Sequence, residues 1–351
     1  MNKLDIFSDK DTYELIFNVA DDELKKIISE AKVVVIDKVV LDLYRDYLNI
    51  DENKIIQVEA KEEKKTPKEA LDICEQLMLK GLRRQDSIVA IGGGITQDLV
   101  TFAASILFRG IKWIWIPTTL LAQADSCIGG KSSLNFKTWK NILGNFYPPH
   151  KIYVQEAFLK TLHNDDIRSG IGEILKVHLL SGKASSDQIL EQMHILEKDP
   201  NVLSDMIFNS LKYKNKILEV DALDTGLRLK MNYGHSFGHA LESATHFGIP
   251  HGIAVTIGLD MANYMAYQQK NISQQHFSKL HDALRKNLNE KDFVSFDFDD
   301  FISALRKDKK NDSENYRLVI PVADGEVELL PFAMNKETDN VFKQYFELYY
   351  R

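Results

Sequence analysis

Three of the chain's ten histidines, His235, His239 and His251, fall in the stretch Met231–Gly252, MNYGHSFGHALESATHFGIPHG. Imidazole is the commonest ligand for zinc-like ions, and a catalytic zinc site takes three protein ligands and keeps one position open. SFGHALESA reads as helix, so His235 and His239, four residues apart, share one face. His251 follows Pro250 and opens a second apolar-periodic run, IAVTIGLDMANYMA, which places it at a helix N-terminus. A single histidine is more often an ordinary core or surface residue; the cluster with its glycines points instead to a metal.

A second stretch has the form of a phosphate cradle. Ser87–Ile91 (SIVAI) predicts a strand, Gly92–Gly94 a tight turn and Asp98–Leu107 a helix. That order presents backbone N–H groups at a helix N-terminus to a pyrophosphate. The third glycine of a GxGxxG fingerprint is missing, because Gln97 stands there. Lys32–Ile36 (KVVVI) predicts a buried parallel strand ending at Asp37, where an acid can hold a ribose hydroxyl or merely shape a turn. Leu120–Asn141 sets Asp125, Lys131, Lys140 and Asn141 among glycine-rich turns, which read by default as solvent-facing loop. The charged run Glu59–Thr66 reads as a solvated loop as well.

These groups need elements to position them. Strands and helices alternate from 32 to 154, with further strands at Lys112–Ile116 and Lys151–Val154, which predicts a Rossmann-like, doubly wound parallel sheet. Beyond about residue 160 helical periodicity takes over, interrupted by a hairpin around Ala323-Asp324-Gly325. The expected architecture is an α/β domain over 1–160 that binds a dinucleotide, and a mainly α-helical domain over 161–351 that binds metal and substrate, with a cleft between them.

Composition narrows the class. With 351 residues and 44% hydrophobic content there is ample material for two cores. The net charge of −7, with acids and bases interspersed, argues against a nucleic-acid partner. Cys74 and Cys127 lack CxxC spacing, so no disulfide framework is implied and a reducing cytoplasm fits. The first residues have no apolar core of a secretory signal, and no apolar run reaches the ~18 residues of a membrane span. A soluble cytoplasmic protein is expected.

Taken together, GGG with a later Asp, FRG, IPTTLLAQ-D-S-GGK, KN-LG-FY, G-GE-LK, GLR–N-GHSFGHA-E and HG-AV resemble the 3-dehydroquinate synthase family of sugar-phosphate cyclases. The resemblance runs through roughly 85–252, with a weaker match at Asp308-Lys309-Lys310-Asn311. It implies metal ligands Glu173, His235 and His251, with His239 contacting substrate instead of sharing the ion, and Zn or Co as the divalent metal. It implies a phosphate-bearing keto sugar acid held by Asp125, Lys131, Asn141, Lys176, Lys214, Arg228, Asn232, His239 and one of Lys309 and Lys310. NAD contacts would be Asp37, Glu62, Lys65, Gly93, Gly94, Asp98, Thr118, Thr119 and Lys140. A homodimer is implied, with Arg109 reaching the neighbouring subunit's substrate.

The resemblance implies transient oxidation of a ring alcohol by NAD, loss of phosphate, re-reduction, ring opening and aldol closure. A metal polarises the alcohol and later the ketone, lysines and Arg228 stabilise the departing charge, and NAD carries the hydride. Gln97, Thr101, Trp139 and Phe146-Tyr147-Pro148-Pro149 depart from the family pattern and bear on which sugar is used. A second reading keeps the chemistry but changes the sugar, to a 2-deoxy-scyllo-inosose, epi-valiolone or amino-dehydroquinate type of cyclase. Arg228 separates the two, because its parallel donors suit a carboxylate. A third is a glycerol dehydrogenase-like, metal-dependent alcohol dehydrogenase, which would not need Lys131, Lys214 and Arg228 together.

Overall fold

A run as apolar as Val33–Val35 cannot leave either face in water, and it forms an interior strand with every one of those side chains buried. The computed structural model describes residues 2–9, 12–137 and 139–350. Two compact units result: Met1–Leu162 with Asn215–Leu223, and His163–Lys214 with Asp224–Arg351.

In chain order the first unit contains β1 (Asn2–Phe7), β2 (Thr12–Phe17), α1 (Asp21–Glu30), β3 (Val33–Asp37), α2 (Lys38–Leu48), β4 (Ile55–Val58) and α3 (Pro67–Leu79). It continues with β5 (Ser87–Gly92), α4 (Gly94–Ile106), β6 (Lys112–Pro117), β7 (Leu134–Phe136), β8 (Trp139–Leu143) and β9 (Lys151–Val154). Seven strands make one sheet in the order β1-β2-β9-β6-β5-β3-β4, parallel throughout except for β1 against β2. From β3 the chain winds one way to β4, and from β5 the other way to β6 and β9. The carboxyl ends of β3 and β5 therefore flank the switch point, where doubly wound sheets bind their ligands. Asn215 explains why a later segment belongs here. Its side chain accepts from Phe7 N (3.1 Å) and donates to Asp5 O (2.8 Å), covering the edge strand β1.

The second unit comprises α5 (Asn164–Leu180), α6 (Lys183–Gln192), the first part of α7 (Pro200–Val220), α8 (His235–Ala244), α9 (His251–Gln268), α10 (Gln274–Arg285) and α11 (Phe298–Arg306). A hairpin of β10 (Asn315–Ala323) and β11 (Glu326–Ala333) and the terminal α12 (Lys336–Tyr349) complete it. α9 is buried without a break from Gly252 to Ala266, as a helix apolar all round must be, and α5, α8, α10, α12 and β10 pack against it. Glycine lets them approach. A Cβ on Gly172 (α5) would overlap Gly252 O, one on Gly252 would overlap Ser169 O, and one on Gly258 (α9) would overlap Gly234 O.

Some expectations need correction. Glu59–Thr66 is not simply a solvated loop: Lys65 is buried within it. Leu120–Asn141 is not loop throughout, since Ala122–Ser126 is a π-helical turn and β7 and β8 pair as a hairpin. α4 begins at Gly94 instead of Asp98, so the glycines themselves form the helix N-terminus. α2 escapes the sequence because VVVIDKVV runs β-branched residues across the strand end into the helix. Among the described residues, no helix is long and apolar enough to cross a membrane.

The backbone contacts predict that Gly172→Ala or Gly252→Ala will lose about 3 kcal/mol of stability, the upper range for overpacking. Denaturant unfolding measures this, and a loss below about 0.5 kcal/mol contradicts it.

Candidate metal and substrate centre

Glu173 follows Gly172 on α5, and His251 precedes Gly252 on α9, so the glycine contact that joins the helices also joins these two side chains. Glu173 Oε1 lies 3.1 Å from His251 Nε2 and 3.5 Å from His235 Nε2, while Oε2 lies 2.6 Å from Lys176 Nζ. The ligand atoms of His235, His239 and His251 all fall within 4.8 Å of one another. Two donors bound at about 2.1 Å to one tetrahedral ion are roughly 3.4 Å apart, so the donor set fits a zinc-like dication. His239 belongs to the cluster, and Glu173 Oε1 lies against both His235 and His251.

Outer contacts orient the rings. His235 Nδ1 faces Tyr233 O at 3.2 Å and must donate, which turns Nε2 toward Glu173. His251 Nδ1 faces both oxygens of Glu242 at 3.3 Å. Carboxylate partners of this kind orient and strengthen ligating histidines. Glu242 was missed as a site residue. Its signal was present, because seven residues separate it from His235 on one helix face.

Charge explains the cluster. Burial pushes the Glu173 carboxyl up, but Lys176, His235 and His251 together outweigh it and hold the group well below its usual range. Glu242 is likewise held low: burial opposes ionisation, and the His251 contact prevails. Burial pulls His251 down, yet Glu173 and Glu242 raise it to about 10. Loss of solvent and then the neighbouring His235 and His251 charges lower His239, whose outer edge is exposed. Two carboxylates converging on imidazoles demand positive charge, and here a proton on His251 meets that demand.

Other expected residues of the second unit gather on neighbouring segments. Lys176, Lys214 and Arg228 are buried cations. Arg228 and Asn232 sit in the turn Leu227–Asn232 just before α8, where Asn232 Nδ2 donates to Leu229 O (3.0 Å). Lys310 is paired with Asp308 (2.6 Å), and its charge reaches His239, whereas Lys309 is exposed.

In the first unit, Asp37, Gly93, Gly94, Thr118 and Thr119 collect at the carboxyl ends of β3, β5 and β6. Asp37 also caps α2 by accepting from Val39 N (2.9 Å). A Cβ on Gly93 would press on the Thr119 methyl. Lys65 Nζ bonds Asn141 Oδ1 (2.5 Å) and pairs with Asp98 (3.3 Å); Glu62 approaches both Lys65 (3.9 Å) and Lys140 (3.6 Å). Burial lifts Asp98 to about 7 against the pull of Lys65. Asp125 is buried in the π-helical turn, and Gln97 ties that turn down by bonding both Ser126 O (2.7 Å) and Ser126 Oγ (2.9 Å). Lys131 lies 5.9 Å above the Phe146 ring. Phe108 and Arg109 are both left-handed (φ 52° and 64°) before Gly110, a costly backbone for side-chain-bearing residues that holds Arg109 out at the surface.

Residues 55–169 match the 3-dehydroquinate synthase N-terminal region and residues 170–311 the C-terminal region. The 3-dehydroquinate synthase of Dictyoglomus thermophilum is 37% identical over 313 residues, covering 86% of this chain and 84% of the relative. The chain belongs to the 3-dehydroquinate synthase family. Solved structures of sugar-phosphate cyclases share the fold of this family member. The 2-epi-5-epi-valiolone synthase of Streptomyces hygroscopicus, with NAD+ and Zn2+ bound, aligns with a TM-score of 0.83 at 22% identity, covering 95% of this chain and 97% of its own. A 2-deoxy-scyllo-inosose synthase complexed with carbaglucose-6-phosphate, NAD+ and Co2+ aligns with a TM-score of 0.83 at 23% identity, covering 98% and 100%.

Removing the outer carboxylate by Glu242→Ala is expected to raise the Zn2+ dissociation constant roughly 10–100-fold, read by competition with a chelating dye. A change within about twofold contradicts the role given to Glu242.

The metal-free protein has a pH signature of its own. Stability contributed by His251 is complete below its ordinary value of 6.5 and disappears as pH rises through about 10. Stability contributed by Glu173 and Glu242 is complete above their ordinary 4.5 and is lost as pH falls through their lowered values. Urea unfolding against pH should therefore show an alkaline decline that His251→Gln removes; an unchanged decline in that variant contradicts the assignment.

Proposed function

We propose that the protein is a 3-dehydroquinate synthase, a carbon–oxygen lyase that converts 3-deoxy-D-arabino-heptulosonate 7-phosphate to 3-dehydroquinate with loss of phosphate. The observation that carries the reading is the buried Glu173 carboxylate set between two imidazole Nε2 atoms, in a chain of this family. Glu173, His235 and His251 would hold a divalent metal, Zn or Co, and the carboxyl ends of β3, β5 and β6 would hold NAD. Bound there, the metal supplies Lewis-acid polarisation of a ring alcohol and NAD reversible hydride acceptance.

The chain's own residues do the rest. Lys176 keeps Glu173 ionised, and Glu242 fixes the His251 ring so that Nε2 faces inward. His239 stands beside His235 and His251 with exposed surface, where it can exchange a proton with a substrate hydroxyl. Arg228 offers two parallel donors to a carboxylate, and Lys214 and Lys310 add positive charge for a leaving phosphate. Of the two candidate lysines, Lys310 is the one whose charge bears on His239. In the first unit, Asp125, Lys131 and Asn141 are the positions that the family resemblance assigns to substrate. Arg109, on its strained turn, would serve the site of a second subunit in a homodimer.

Purified protein given NAD, Zn2+ and the heptulosonate phosphate is expected to release phosphate and 3-dehydroquinate in equal amounts with no net NADH. Steady NADH accumulation would mark an alcohol dehydrogenase instead. Phosphate release confined to a different sugar phosphate would mark another cyclase.

A further inference from the structure

α9 begins without a cap of its own. Pro250 occupies the N-cap position and has no side-chain hydrogen bond to offer the first turn. The first backbone N–H groups of a helix need an acceptor, and an uncapped buried one is costly. Gly252 N finds it on another helix, donating to Ser169 Oγ of α5 at 2.9 Å. The carbonyl of Gly252 is held as well, accepting from Thr256 Oγ1 at 2.8 Å. Thr256 Oγ1 in turn accepts from Asn287 Nδ2 (2.9 Å), and the same Nδ2 donates to Arg168 O of α5 (3.0 Å). Asn287, fully buried beyond the end of α10, thereby bridges α5 and α9. Its own carbonyl accepts from Arg168 Nη1 (3.1 Å), and Arg168 is anchored by Asp292, Asn164 and Asp165.

Both ends of this chain of bonds stop within about one turn of the cluster. Ser169 is four residues before Glu173 on α5, and Gly252 adjoins His251 on α9. The glycine contacts set how close the helices come, but touching backbones alone leave them free to slide or rotate. Directional bonds at Ser169 and Asn287 remove that freedom.

We infer that Ser169, Thr256 and Asn287 are positioning residues for metal binding: a cap supplied by one helix to another, which fixes the Glu173–His251 separation. This rests on the proposed metal reading and deepens it by naming what sets the bite of the ligands. None of the three touches the ion; they act through Gly252 and the α5 backbone.

The test measures Co2+ and Zn2+ affinity and the visible absorption of the Co2+ form for wild type, Ser169→Ala, Thr256→Val and Thr256→Ser, with thermal unfolding of each metal-free protein alongside. Ser169→Ala and Thr256→Val are expected to weaken metal binding roughly 10–100-fold, the usual loss for outer partners, and to shift the Co2+ spectrum. Thr256→Ser, which keeps the hydroxyl, should bind within about threefold of wild type with its spectrum. Unchanged affinity and spectrum in Ser169→Ala and Thr256→Val, with only a lowered melting temperature, would overturn the inference. Equal loss in Thr256→Ser and Thr256→Val would overturn it too, since methyl packing and not the hydrogen bond would then be responsible. Should Ser169→Ala fail to fold, the Thr256 pair decides alone. Wild type that binds neither ion removes the metal reading itself, and this inference with it.

Discussion

A carboxylate removed from water has to be matched by positive charge at short range, and Glu173 is 2% exposed. Lys176 covers one of its oxygens and the Nε2 atoms of His235 and His251 the other. Breaking either side would leave a buried charge uncompensated, which costs more than a surface pair could return. The second unit is arranged so that both sides are met. α5 delivers the acid and its lysine three residues apart, α8 and α9 begin with the two imidazoles, and Glu242 holds the far side of one of them.

Small residues and polar residues divide the work of bringing these pieces together. Gly172, Gly234, Gly252 and Gly258 allow helix backbones to touch, which no side-chain-bearing residue would permit at those contacts. The bonds from Ser169 and Asn287 then give the contact a direction. In the first unit the strand order does the comparable work. Reversal of the winding between β3 and β5 sets the switch point at their carboxyl ends, where Gly93 leads into the α4 N-terminus.

How much of this the sequence reveals depends on how local each cause is. The parallel sheet and the helical second half are written in short periodic patterns, and so are β5, the glycine turn and the paired histidines of α8. α2 and β4 are not, because the first continues a β-branched run and the second has four residues. Composition and spacing made His235 and His251 conspicuous but offered no reason to choose Glu173 among so many acids. That residue came from the family resemblance. Lys65 looked solvated in a charged run, and it is buried because Asn135, Asn141 and Asp98, distant in sequence, close over it. The Ser169–Gly252 cap joins positions 83 residues apart, and no local pattern announces it.

In the proposed centre the acid, and not the third histidine, completes the ion's protein ligands. Crystals grown with Zn2+ and measured across the zinc absorption edge would test it most directly. One anomalous peak is expected at about 2.0–2.2 Å from Glu173 Oε1, His235 Nε2 and His251 Nε2, with His239 standing off. A peak bound by all three histidines while Glu173 turns to Lys176 alone, or no peak at this cluster, would contradict it.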